Sequence, residues 1–326
     1  MRNEMTRRRF IAAAGLGAVG AAGAGHASLL SGVAPPEVPQ RKFYTVLSLG
    51  ALGLKGSFQQ SVELAVKYGF GGVDPDLGYF SQLSDGQLNK LVDELKAKNL
   101  KLGGAGLPVD FRQDEQTFSG DLKKLPAAAR VLQAVGVTRV TTWIASFSND
   151  LTYLQNFREH ACRLRACAEV LWDHGQHLGL EYVGPKTSWR SGRHPFVHTL
   201  SETKELMTAI GTDNLGVRLD SYHWFNAEET EADLLTLRNQ DVVTVDLNDA
   251  PAGVPLDKLM DLSRELPAAT GVIPVKTFLD GLLKIGYEGP IQAEPFNAAL
   301  SAMPIDQACS TTAAAINRAF SLAGVS

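Results

Sequence analysis

Four acidic residues each close an apolar run: Glu181 in Leu178-Gly179-Leu180-Glu181, Asp220 in Arg218-Leu219-Asp220, Asp246 in Thr244-Val245-Asp246, and Glu294 in Ile291-Gln292-Ala293-Glu294. A carboxylate at the end of a buried strand must find a partner, because taking a charge out of water unpaired is expensive. One such residue is ordinary, since Asp often caps the helix that follows a strand. Four on consecutive runs would converge on one point and repel one another unless a cation lay between them. Oxygen donors with at most one nitrogen suit Mg or Mn, with Co or Zn also possible. The expected chemistry is therefore that of one divalent ion acting on a small polar substrate, and the bland alternative is four separate caps and ion pairs.

Those runs belong to a longer alternation. Candidate strands are Tyr44–Leu49, Gly72–Asp74, Leu102–Leu107, Val137–Ile144, Leu178–Val183, Leu215–Asp220, Val242–Leu247 and Pro290–Ala293. Helical patterns occupy Phe58–Tyr68, Asp85–Lys98, Leu122–Val135, Asn156–His177, Leu200–Ile210, Glu228–Arg238, Pro274–Ile285 and Ala308–Ala323. Gly69, Gly136, Gly211 and Gly286 sit where helix C-termini need them. Eight β-then-α units with short connections predict a single (β/α)8 barrel, whose chemistry gathers at the C-terminal ends of its strands. The doubly wound alternative would place a phosphate-binding turn after the first strand. Leu49-Gly50-Ala51-Leu52-Gly53-Leu54 matches that fingerprint only loosely and lacks its acidic partner.

The chain of 326 residues is 44% hydrophobic with a formal net charge of −4. That is enough apolar material for one large core, and the lack of basic excess argues against a nucleic-acid partner. Thr6-Arg7-Arg8-Arg9-Phe10-Ile11 is a twin-arginine pattern followed by an Ala/Gly stretch, so residues 1–27 are expected to be an export leader handled by the twin-arginine machinery. Residues 28–41, ending in a Pro-containing segment, are expected to be a linker, and 42–326 the barrel, working in the periplasm or beyond. Cys162, Cys167 and Cys309 are too few for a disulfide framework and are expected to be packed thiols.

The order Gly-Leu-Glu (179–181), Leu-Asp-x-x-His (219–223), an Asn-Asp-Ala-Pro turn (248–251) and Tyr-Glu-Gly-Pro-x-x-x-Glu-Pro-Phe (287–296) resembles the xylose isomerase-like sugar isomerases and epimerases. The resemblance runs from about Lys42 to Phe320. It implies metal ligation by Glu181, Asp220 and Glu294, with Glu181 and Glu294 exchanging a proton with the substrate and Asp220 as structural ligand. It implies a substrate-binding role for His223. The family's remaining ligand is a histidine where this chain has Asp246. Alternation along a strand puts Thr244, Asp246 and Asn248 on one face, so Asp246 or Asn248 is the expected replacement, in a harder and more anionic site.

Around this core, Lys186 and Arg264 lie on loops after the fifth and seventh strands and are candidates to hold a substrate oxygen, while Trp143 and Trp224 are candidate walls for a sugar ring. Arg218 shares a face with Asp220 and is expected to point inward at the acidic cluster. Asp74 and Asp76 are candidates for the barrel mouth. The remaining histidines, His160, His174, His177, His194 and His198, are expected on helix surfaces or loops. The expected reaction is proton removal beside a carbonyl through a metal-stabilised enediolate. Elimination from a keto-sugar or keto-glycoside is the rival enzyme reading, and a non-catalytic periplasmic sugar-binding protein is the rival of another class. An apurinic-site endonuclease, whose barrel is related, would need more histidines and a basic surface.

Overall fold

The computed structural model describes residues 41–325. The leader and nearly all of the linker expected above lie outside them. Eight parallel strands form the barrel: β1 Tyr44–Leu47, β2 Gly72–Val73, β3 in two arms (Lys101–Leu102 and Ala105–Gly106), β4 Arg139–Trp143, β5 His177–Glu181, β6 Leu215–Asp220, β7 Val242–Asp246 and β8 Pro290–Gln292. Neighbours pair in chain order, and β8 pairs with β1. The first arm of β3 pairs with β2 and the second with β4, which closes the ring. The break between the arms has a steric cause. A Cβ on Gly104 would stand 2.6 Å from Thr244 Cγ2, so only glycine lets β3 pass this close to the opposite wall.

The helices form because their apolar positions recur on one face and their ends are capped. Phe58–Tyr68 starts at Ser57, whose side chain accepts from the Gln60 N–H, and stops at the left-handed Gly69. Leu200–Ile210 is bounded in the same manner by Thr199 and Gly211. The buried faces pack on the outside of the barrel in one continuous core that includes Ala65, Leu132, Leu171, Leu206, Phe278 and Phe320. None of the helices described is long and apolar enough to cross a membrane.

Three expectations need correction. The helix expected over Glu228–Arg238 is absent as such: Ser221–Asn226 starts directly at Asp220, and only Glu231–Leu234 is helical in that region. Asp220 initiates the earlier helix by accepting from the Tyr222 N–H, Glu228 then takes a left-handed φ of 58° that ends it, and Thr230 and Asp233 cap the later turn. Cys162 is exposed rather than packed, while Cys167 and Cys309 are buried, and all three are free. His160 is buried instead of surface-lying, and its Nδ1 meets the Asn156 carbonyl oxygen at 3.0 Å.

Candidate active site

Strand register assembles the acids. Trp143 lies opposite Glu181, Asp220 opposite Asp246, and Asp246 opposite Gln292. A register shift in β7 between Val242 and Thr244 brings Thr244 beside Arg218 and so puts Asp246 level with Asp220. Glu181, Asp220 and Asp246 are all buried. Glu294 follows β8, and its N–H donates to Asn248 Oδ1.

Two guanidiniums stand among these acids, Arg264 buried and Arg218 partly so. Arg218 reaches three of them: its Nε donates to Asp246 Oδ2 at 2.6 Å, Nη2 to Glu294 Oε1 at 2.9 Å, and Nη1 lies 3.4 Å from Glu181 Oε2. Arg264 reaches the fourth. Its Nη1 donates to Asp220 Oδ2 at 2.7 Å and lies 3.2 Å from Glu294 Oε2, while Nη2 donates to Asp261 Oδ1 at 2.7 Å. The Arg264 guanidinium also lies over the rings of Tyr222 and Phe296. Phe296 is itself held at φ 40°, a costly conformation for a side chain of its size, where it covers Arg264.

Asp246 and Asn248 are fully engaged. Asp246 Oδ1 accepts from Gln292 Nε2 and Oδ2 from Arg218. Asn248 donates to both oxygens of Asp220 and accepts from the Glu294 N–H, tying two of the acids together. Another trio offers a metal-ligand grouping, although Asp220 within it is itself held by Asn248 and Arg264. Glu181, Asp220 and His223 each present a ligand atom within 4.8 Å of the rest. His223 Nε2 stands 3.9 Å from both Glu181 Oε1 and Asp220 Oδ2. His223 gains this position because Asp220 caps the helix in whose first turn it sits.

This trio fits a divalent ion on two counts. Glu181 Oε1 is buried with no hydrogen-bond partner. Five carboxyl groups (the four strand-end acids and Asp261) also face only two guanidiniums, an excess of acidic groups over cations in a largely buried space. Arg264 is the neighbour that such an ion would meet, because it shares Asp220 Oδ2 and its Nη2 lies 3.3 Å from His223 Nε2.

Burial dominates the protonation of the site. It pushes Glu181 well above the usual carboxylate range, with Arg218 opposing, and raises Glu294 in the same direction. Asp220 rises to about 6 through burial, again opposed by a guanidinium, here Arg264. His223 falls to about 3 through burial and the adjacent Arg264, so the ring is neutral at physiological pH and keeps a lone pair to offer. Asp74, at the end of β2, rises to about 7 because of burial, and its Oδ1 has no partner.

The other candidates are placed as follows. Lys186 pairs with Glu228 at 2.6 Å. Trp143 is 46% exposed at the rim, with the Arg112 guanidinium 4.3 Å from its ring centroid. Trp224 is buried in the core against Phe278. A concavity of about 410 Å³ opens at the same mouth between the loops after β1 and β2, lined by Leu49, Gly50, Asp74 and Asp76 among others. Sequence reasoning missed Asp261, which holds Arg264, and undervalued Asp249. The Asp249 carboxylate accepts from the backbone N–H groups of Ala250, Thr270, Gly271 and Ile273, pinning the loop that carries Arg264.

A closed parallel barrel with its polar cluster at the strand C-termini is a TIM barrel in fold and in site placement. The chain belongs to the xylose isomerase-like TIM barrel family, whose model matches residues 62–316. Among curated proteins it is 22% identical over 250 residues to an inosose isomerase of Bacillus velezensis, covering 74% of this chain and 84% of that one. It is 25% identical over 273 residues to a 3-dehydroshikimate dehydratase of Pseudomonas putida, covering 80% of this chain and 39% of that protein. Among solved structures, a xylose isomerase domain protein from Alicyclobacillus acidocaldarius superposes with a TM-score of 0.75 at 30% identity, covering 86% of this chain and 99% of that one. The IOLI protein solved with a bound zinc atom gives a TM-score of 0.71 at 16% identity, covering 86% and 98%.

Proposed function

We propose that the chain is a carbohydrate isomerase or epimerase that moves a proton on the carbon next to a carbonyl, with Glu181 and Glu294 as the acid–base pair. The observation that carries this reading is that one guanidinium, Arg218, holds both carboxyls, Glu181 buried and Glu294 partly so, and that burial raises both above the usual carboxylate range. With like charges this close, ionising both members is disfavoured, and such a pair suits a proton transfer in which one member donates and the other accepts. Glu181 and Glu294 would flank the reacting carbon, with Arg264 and His223 positioning the substrate oxygens. A divalent ion held by Glu181, Asp220 and His223 would polarise the carbonyl and stabilise the enediolate. The imidazole in that donor set favours Mn, Co or Zn over Mg.

A lyase reading has one observation in its favour, the dehydratase among the relatives. It uses the same enediolate and differs in expelling a neighbouring group instead of taking the proton back. Incubation in D2O with free ketoses, inososes and 3-keto-glycosides, with Mn, Co, Zn or Mg supplied, separates the outcomes. Deuterium entering the carbon next to the carbonyl, lost in Glu181→Gln and Glu294→Gln, is expected. An eliminated aglycone or an unsaturated product would favour the lyase, and neither event across the panel would overturn both readings.

We further propose export through the leader at Thr6–Ile11 to a site outside the cytoplasm, which would make free sugars or glycosides more available substrates than sugar phosphates. Fractionation of cells expressing the full chain should find it outside, and the Arg7→Lys/Arg8→Lys variant inside. Equal distribution of the two would overturn the export reading.

A further inference from the structure

Arg218 occupies an unusual place for a guanidinium, inside the barrel beneath the mouth, and it touches three of the four strand-end carboxylates. Its geometry is over-determined. Nε is fixed by Asp246 Oδ2, Nη2 by Glu294 Oε1, and Nη1 leans on Glu181 Oε2, so each nitrogen of the planar fork meets an acid from a different segment: β7, the turn after β8, and β5. Asp246 is fixed in turn, because Gln292 Nε2 holds its other oxygen. Asp246 therefore has no oxygen left without a strong donor, and it is the anchor of Arg218.

We infer that Arg218 is a resident cation, built into the chain, that holds Glu181, Asp246 and Glu294 together without help from a metal ion. A carboxylate cluster assembled around an exchangeable ion flies apart by mutual repulsion when the ion is removed. Here one positive charge is covalently part of β6 and does not leave. Asp246 depends on Arg218 for its only charged partner, whereas Arg218 without Asp246 would keep Glu294 and Glu181 but lose the acceptor that fixes its Nε. Glu181 Oε1, which has no partner, together with Asp220 and His223 would hold a separate ion, whose loss would leave the acid–base pair still joined through Arg218. Arg218 is thus a positioning residue for Glu181 and Glu294. The inference uses the functional reading above only in naming those two as the reacting groups.

The test is thermal unfolding and metal content of the full chain, before and after dialysis against a chelator, for the wild type and for Arg218→Met. The wild type is expected to lose less than about 2 °C in Tm on chelation. Chelated Arg218→Met is expected to fall by at least roughly 6 °C and to recover most of that loss on addition of Mn or Zn, with matching NaCl giving none. Rescue separates a lost cation from a merely lost contact only where it exceeds the rise that the same ion gives the chelated wild type, because an ion at Glu181, Asp220 and His223 stabilises any folded variant by mass action. A rise equal to the wild type's would overturn the inference. A wild type that loses more than about 6 °C on chelation would overturn the inference, whether or not the variant folds. So would a chelated Arg218→Met as stable as the wild type, or one whose loss metal does not repair. Absence of turnover on any sugar would sink the functional reading and leave these measurements intact, and the reverse outcome is equally separable.

Discussion

Asp249 is the most exacting place to test how the site is held, because one buried carboxylate satisfies four backbone donors of the long loop after β7. Its Oδ1 accepts from Ala250 and Ile273, and its Oδ2 from Thr270 and Gly271, at 2.7 to 2.9 Å. Asp249→Asn keeps the shape and one acceptor oxygen, but turns the other end into an NH2 group facing two N–H donors. Two hydrogen bonds to a charged group are lost, at about 1.5–3 kcal/mol each. Allowing for relaxation of the loop, the expected loss is about 3–5 kcal/mol, or a fall in Tm of roughly 6–12 °C for a barrel of this size. The damage reaches chemistry, because the same loop presents Arg264 to Asp220 and Glu294 and carries Asp261, which pairs with Arg264. Calorimetry and steady-state kinetics on the purified variant should show both losses together, with kcat/KM lowered by at least about tenfold through misplaced Arg264. A Tm within about 2 °C of wild type would refute the view that this carboxylate fastens the loop. An unchanged kcat/KM with a lowered Tm would refute only its connection to the site.

Three further outcomes follow from the geometry. Asp74 has a folded pKa of about 7, above its unfolded value, so the fold prefers its neutral form and loses stability as pH rises through that interval. Asp74→Asn should therefore leave Tm unchanged near pH 4 and raise stability by about 2 kcal/mol at pH 8, a figure reduced for its partial exposure; equal Tm differences at the two pH values would contradict the assignment. A Cβ on Gly184 would stand 2.4 Å from the His223 carbonyl oxygen. Gly184→Ala should thus push the Ser221–Asn226 helix outward and weaken divalent-ion binding at least about tenfold by calorimetric titration, with overall helicity kept; unchanged affinity would show that His223 is not a ligand. Lys186→Ala should change KM by less than about twofold, since its ammonium is already paired with Glu228 at the surface and such pairs contribute little; a tenfold rise in KM would place Lys186 in the substrate site after all.

What the sequence made legible and what it hid divide along a physical line. Glu181, Asp220, Asp246 and Glu294 could be found because a charge at the end of an apolar run is costly and has to be explained, and alternation alone aimed Arg218 at the same cluster. The eight strands could be found because a parallel sheet buried on both faces leaves continuous apolar runs. Period fails wherever side chain–backbone contacts decide the structure. Asp220 starts a helix where the apolar pattern suggested a loop, and this brings His223 into line with Glu181 and Asp220. Lys186 and Arg264 looked alike in the sequence, each a cation on a loop after a strand. Arg264 is buried because Asp249 folds its loop back over β8, where the Arg264 N–H donates to the Pro295 carbonyl oxygen. Lys186 lies in a short surface helix and finds Glu228. Residue types therefore disclosed which charges the barrel had to accommodate, but not how they were shared. That depended on the acceptor geometry of Asp246, Asn248 and Asp249, three polar positions within four residues on and just after β7. Of these, Asp246 binds an arginine, Asn248 binds two acids and Asp249 binds a loop. Spacing placed the three together, and only their hydrogen bonds distinguish their roles.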